Sequence, residues 1–127
     1  MVDHYPSLPA LDGIYLEESW VLDVREASDR VTFRLEAVLT PVSPLYQPPE
    51  PGAQFCTRRG NLEFEGVTAV EWLSKTMRRI HDPRGDDDLG NIDSLTREDD
   101  ALHIQGEWGN LRIHSRTDPY FIADSIS

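Results

Sequence analysis

WVLDVREASDRVTFRLEAVL, residues 20–39, decides the fold class, because its apolar residues recur at every second position on either side of one polar break. Val31, Phe33, Leu35, Ala37 and Leu39 alternate with Thr32, Arg34 and Glu36, which is the period of a strand with one buried face. Upstream, Ile14, Leu16, Trp20, Leu22 and Val24 share one parity, interrupted at Glu18. Ala27-Ser28-Asp29-Arg30 is turn-like, so the two runs read as a hairpin. A turn centred on Ser28 and Asp29 sets Val24 against Phe33, Leu22 against Leu35, and Asp23 against Arg34. Moving the turn to Asp29 and Arg30 would face Asp23 with Glu36 and Arg25 with Arg34, two like-charge contacts. The first register is therefore expected.

Outward from this hairpin the turn-separated strand pattern continues. Five prolines from Pro41 to Pro51 remove backbone donors and fix φ, so TPVSPLYQPPEPG reads as a stiff crossover or an edge wrap. Leu62 and Phe64 form the inward side of a short strand bracketed by Gly60 and Gly66. Residues 68–80 stay open. Thr68 and Glu71 have capping-box spacing and Val70, Leu73, Met77 and Ile80 share a helical face, while Val70 and Trp72 also suit a strand. From Asp82 to Asp100 the chain is acidic and turn-rich, with a short strand expected near Ile92. The last hairpin pairs Leu102 with Ile113 and Ile104 with Leu111 around Gly106-Glu107-Trp108-Gly109, and Tyr120 and Ile122 suit a closing strand. The expected fold is mainly β: an antiparallel sandwich, roll or barrel of about seven short strands, with room for one short helix near 68–80.

A chain of 127 residues has the length of one domain, so residues 1–127 are read as a single unit with a flexible tail at 1–12. Twelve Lys and Arg against 23 Asp and Glu give a net charge of −11, a field that repels phosphate backbones and anionic lipid surfaces and attracts a basic protein. Nucleic acid and membrane are thus not expected as partners; a basic protein partner is, and a homo-oligomer is compatible. Cys56 is the lone cysteine, so no intrachain disulfide forms, and with no export signal in MVDHYPSLPALDG the expected location is cytoplasmic.

No catalytic constellation emerges. His103 and Arg112 should face each other on the last hairpin beside Gln105, but nothing in the sequence sets a nucleophile or a carboxylate next to them, and polar residues are what the solvated face of a hairpin requires. His4, His81 and His114 lack metal-ligand spacing. Asp86, Asp87 and Asp88, with Asp82 and Asp93, are hard oxygen ligands without the alternate spacing and terminal bidentate Glu of a calcium loop, so no metal or cofactor is expected. Arg58 and Arg59 lie near Cys56 and would favour its thiolate, yet no histidine is positioned as its base, so the thiol reads as a small hydrophobe. Arg58, Arg59, Lys75, Arg78, Arg79 and Arg84 hold half the basic residues in the middle third, suited either to guiding a partner or to pairing with the acidic turn. Tyr46 and Trp108 are the candidate binding residues, a pair of aromatic anchors presented by the proline-rich segment and the hairpin loop, with a core role the alternative for Trp108.

YQPPEPG, FCTRRGNLEFEGV, DDDLGNID and LHIQGEWGNLRIHS together resemble a family of small uncharacterised bacterial all-β proteins, over roughly residues 14 to 122. The shared elements are Y-x-P-P-x-P-G, a Cys before a short strand, D-x-G-x-I-D and a G-E-W-G hairpin. Size, acidity and the W-G hairpin are also loosely similar to β-rich bacterial immunity proteins. The resemblance implies a β fold and brings no activity or site residue with it. The absence of a catalytic constellation and the acidic charge lead, by elimination, to the expectation of a non-catalytic protein-binding module, immunity-like or regulatory. The alternative is a β domain with a small-ligand or metal-ion site, which a polar-lined cavity would favour.

Overall fold

The computed structural model describes residues 3–4, 11, 13–43, 46–48, 51, 56–76, 80–81, 87–98 and 101–124. In chain order the strands are β1 (Asp3–His4), β2 (Ile14–Glu26), β3 (Arg30–Leu39), β4 (Cys56–Glu65), β5 (Val67–Lys75), β6 (Ile80–His81), β7 (Asp87–Asp88), β8 (Ile92–Glu98), β9 (Ala101–Gly106), β10 (Gly109–Ser115) and β11 (Tyr120–Ala123). All pairings are antiparallel. A five-stranded sheet runs β1-β8-β9-β10-β5, a four-stranded sheet runs β11-β4-β3-β2, and β6 pairs with β7. The core joins Val31, Phe33, Leu35, Leu62 and Phe64 of the smaller sheet to Leu95, Ile104, Leu111 and Ile113 of the larger one, all at zero exposure. These are the residues that period-two alternation turns inward.

The central hairpin has the expected register at its tip. Ala27 N–H donates to the Arg30 carbonyl at 2.7 Å across Ser28 and Asp29, and Asp23 pairs with Arg34 and Val24 with Phe33. Further along, β2 departs from the expectation. Val21, not Leu22, stands opposite Leu35, because a bulge between Val21 and Asp23 inserts one residue. A second irregularity between Tyr15 and Trp20 spans five steps of β2 against two of β3. Each change of parity exchanges the faces, so β2 buries Ser19 and Val21 in place of Trp20 and Leu22, while Ile14 and Leu16 are buried and Val24 packs against the core as expected. Ser19 holds the irregularity together: its hydroxyl donates to the Tyr15 carbonyl at 2.8 Å and accepts from the Val38 N–H at 2.9 Å.

Strand is the outcome for the open segment: Val67–Lys75 is β5, with Val70 and Trp72 packed against the core. Tertiary pairing with β10 outweighs a capping signal worth about 1 kcal/mol. β4 passes into β5 at Gly66, whose φ of +64° is left-handed, and there the chain leaves one sheet and enters the other. On the opposite side, Val21 N–H donates to the Gly90 carbonyl and Leu89 N–H to the Val21 carbonyl, both at 2.8 Å, and tie β2 to the segment entering β8. The strand near Ile92, the final hairpin and the closing strand at Tyr120 all form as expected. Within the stretch expected as a tail, Asp3 and His4 pair with Arg97 and Thr96, and Leu11 is buried.

Candidate functional site

Because β3 and β4 pair in register from Arg30↔Glu65 to Leu39↔Cys56, the outward residues of the four-stranded sheet line up in rows. Arg25, Thr32, Glu63 and Tyr120 form one row, and Asp23, Arg34, Asn61 and Ile122 the next. Arg25, Thr32, Arg34 and Asn61 border an open cleft of about 320 Å³ on this face.

Arg34 is its centre. Its Nη1 and Nη2 donate in parallel to the two carboxylate oxygens of Asp124, at 2.6 and 2.5 Å, and Nη1 also reaches Asn61 Oδ1 at 3.2 Å. The planar fork matches a planar carboxylate. Hydrogen bonding to Asp124 raises the Arg34 pKa, and the Arg34 hydrogen bond, aided by the charges of Arg34, Arg58 and Arg59, lowers that of Asp124. Arg58 fixes the same residue by donating to its backbone carbonyl at 2.7 Å, and the Asp124 N–H donates to the Arg59 carbonyl at 2.9 Å.

Toward the hairpin tip, Thr32 Oγ1 donates to Glu63 Oε1 at 2.5 Å, and Arg30 pairs with both Glu63, at 3.6 Å, and Glu65. Glu63 is only 6% exposed, a cost that its two partners offset. Tyr120 closes this end; burial and then the neighbouring Glu65 carboxylate push its hydroxyl pKa up. Toward the other end, Arg59 meets Glu36 at 3.4 Å; back at the tip end, Arg25 meets Asp23 at 3.0 Å and its side chain is 80% exposed. The face thus carries carboxylates paired with arginines, most of them across strands.

Trp108 is corrected as an exposed anchor: its exposure is zero. Its ring meets Phe33 edge-on at 5.1 Å and Trp72 at 6.2 Å, and its Nε1–H donates to the Asn91 carbonyl at 3.1 Å. Gly106 makes the room, since a Cβ there would stand 2.2 Å from the Trp108 Nε1. Tyr46 is half-buried and packs on the core margin.

The expected polar trio does assemble on the outer face of the five-stranded sheet, His103 opposite Arg112 and Gln105 opposite Asn110, with Thr96 and Glu71 extending the row of His103 and Arg112. The His103 Nε2 meets Asn110 Oδ1, and His114 Nε2 lies 2.8 Å from Glu71. Cys56 leans on the core and accepts from the Gln47 N–H at 3.5 Å, while its neighbours Arg58 and Arg59 are directed to Asp124 and Glu36. Lys75 pairs with Glu26 at 3.7 Å and lies over Trp72. Of the acidic candidates, Asp82 and Asp86 lie outside the described residues, as do Arg78, Arg79 and Arg84; Asp87 and Asp88 form β7. Among the described residues no cluster of three or more His, Cys, Asp or Glu is arranged to hold a metal, and no helix is long and apolar enough to cross a membrane.

Compared with family models, curated proteins and solved structures, the chain finds no match in any of the three. No activity comes to it from a relative, and the site rests on its own residues.

Sequence reasoning did not single out Arg25, Thr32, Arg34 and Asn61 as a site. Parity predicted that Thr32 and Arg34 share an outward face, and the inward Leu62 and Phe64 imply the same for Asn61. The β3–β4 register and the landing of Asp124 on Arg34 are long-range pairings without a local signal.

Proposed function

We propose that this chain is a non-catalytic, cytoplasmic protein-binding module, immunity-like or regulatory, whose recognition surface is the outer face of the four-stranded sheet. The observation that carries this reading is the lattice itself: Glu36, Glu63 and Glu65 stand on the sheet, each paired with an arginine of the neighbouring strand, and Asp23 and Asp124 are paired with Arg25 and Arg34 at its two margins. Side chains already fixed lose little entropy on docking. At long range the net charge of −11 draws a basic protein toward the chain, and at short range the fixed carboxylates meet its Lys and Arg side chains.

The test is capture of a basic protein from the native host at rising salt, comparing the wild type with Asp23→Asn/Glu36→Gln and with Glu71→Gln/Asp93→Asn on the other sheet. Capture that weakens with salt and falls selectively in the first variant is expected. Equal capture by both variants would refute the choice of face, and salt-independent capture would refute the charge argument.

A second reading is favoured by one feature, the cleft. Its 320 Å³ falls at the lower end of the range of small-ligand sites, about 300–1,000 Å³, and its polar lining suits a small charged ligand.

A further inference from the structure

We infer that the cleft bordered by Arg25, Thr32, Arg34 and Asn61 is a receptor for the phosphate group of a small phosphomonoester. The inference rests on the second reading, that of the cleft as a small-ligand site, and specifies the charge and the group that the ligand carries.

The hydrogen bonds these four side chains already make decide what they can still bind. Arg34 gives one hydrogen of each terminal nitrogen to Asp124, which is not among the residues bordering the cleft, and Nη1 also reaches Asn61 Oδ1. Its Nε–H and the second hydrogen of Nη2 form the other fork of the planar guanidinium and have no partner among the described residues. Arg25 uses only Nε, on Asp23, so both of its terminal nitrogens are unspent, and its side chain is 80% exposed. Asn61 accepts through Oδ1 and keeps its Nδ2 hydrogens. Thr32 has given its hydroxyl hydrogen to Glu63 and offers only lone pairs. The capacity left in the lining is therefore mostly donors, on Arg25, Arg34 and Asn61, and the side-chain charges bordering the cleft are both positive.

Such a lining selects an anion, and the surplus of donors selects the kind. A carboxylate has two oxygens, whereas a phosphate monoester presents three strong acceptor oxygens and a charge of about −1.5 to −2 at neutral pH. Guanidinium forks match its geometry. The cleft, about 320 Å³, is larger than a phosphate group alone, so an organic substituent fits beside it. Thr32 and Arg34 stand on β3 in unbroken register with Glu63 and Asn61 of β4, which holds the floor in place before any ligand arrives. The net charge of −11 opposes an anion at a distance, but screening over about 8 Å at physiological salt leaves the cleft's own groups in control.

Asp23 tempers the site. It pairs with Arg25 and stands across the ladder from Arg34, so its carboxylate repels a bound phosphate. Asp23→Asn should tighten phosphate binding about 2- to 5-fold, whereas loss of the same carboxylate weakens the capture of a basic protein; the two uses of this face differ in sign.

The experiment is a titration of the full chain with inorganic phosphate at constant ionic strength and neutral pH, followed through the backbone amide shifts of residues 25, 32, 34 and 61. The proteins are the wild type, Arg25→Gln, Arg34→Met, Asp23→Asn and Arg112→Gln, the last removing an equal charge from the other sheet. Acetate and methylammonium are titrated into the wild type in parallel. Melting temperatures check that each variant is folded, and the exposed Arg25 carries the test if Arg34→Met is destabilised.

The expected result is cleft shifts with phosphate, weaker binding by about 2- to 5-fold in Arg25→Gln and Arg34→Met, tighter binding in Asp23→Asn and no change in Arg112→Gln. Equal weakening in Arg25→Gln and Arg112→Gln would reduce the effect to net charge and overturn the receptor. Acetate binding as tightly as phosphate would overturn the phosphate assignment, and cleft shifts with methylammonium in place of phosphate would overturn the anion; both leave a small-ligand cleft. Absence of cleft shifts with all three probes would overturn the small-ligand reading as well, while the protein-binding surface is judged separately by the capture experiment.

Discussion

Truncating Trp108 to alanine tests whether the loop indole is a core element. The side chain is fully buried, packs edge-on against Phe33 and Trp72, and donates one hydrogen bond to the Asn91 carbonyl. Large-to-small changes at such a position cost about 3–5 kcal/mol. With an unfolding entropy of about 2.1 cal/mol/K per residue, 127 residues give about 0.27 kcal/mol/K, so a loss of 4 kcal/mol lowers the melting temperature by roughly 15 °C. Trp108→Phe separates the components: it retains an aromatic ring, loses the indole donor and should cost about 1–3 kcal/mol, the scale of one buried hydrogen bond. Thermal melts followed by far-ultraviolet circular dichroism read both without relying on tryptophan emission. A Trp108→Ala protein melting within about 3 °C of the wild type would refute the core placement, since no fully buried indole is removed so cheaply. Equal losses in the two variants would show that the hydrogen bond, not the packed volume, dominates.

Ser19→Ala leaves the buried Val38 N–H without its acceptor and should cost about 1–3 kcal/mol in urea unfolding; a loss below about 0.5 kcal/mol would mean the hydroxyl does not support the irregular part of β2. Gly66→Ala forces a Cβ into a left-handed conformation, 3.3 Å from the Arg116 Cβ, and should cost about 1–2 kcal/mol, with Gly66→Asn milder; equal stability of all three proteins would refute the sheet-switching strain. The Asp124 pKa is depressed in the folded chain, so its contribution is present above the ordinary value of 3.8 and is lost as the pH falls through the lower folded-state value. Asp124→Asn should therefore flatten the pH dependence of the melting temperature below about pH 4; parallel profiles for the two proteins would refute the Arg34 linkage.

The sequence alone determined what period and turn chemistry control. Alternation in Val31–Leu39 and the Ser28-Asp29 turn specified the tip of the central hairpin down to the Asp23–Arg34 pair, and Leu102–Ile113 specified the last hairpin, because hairpin partners are close along the chain and one buried face fixes their register. The departures lie where distant partners decide. Local pattern cannot tell that Val21 hydrogen-bonds Leu89 and Gly90, yet that seam accompanies the irregularities that send Ser19 and Val21 inward in place of Trp20 and Leu22. Residues 68–75 carry helix and strand signals of similar strength, and the edge offered by β10 selects the strand. Trp108 has a loop position by sequence and a core position by structure, since Gly106, Phe33 and Trp72 create its pocket from three separate strands. The cleft was half legible. Parity turned Arg34 and Thr32 outward, but only the tertiary pairing of β4 with β3 and β11 brings Asn61 and Asp124 to them, across 27 and 90 residues of chain, distances at which no spacing in the sequence carries information.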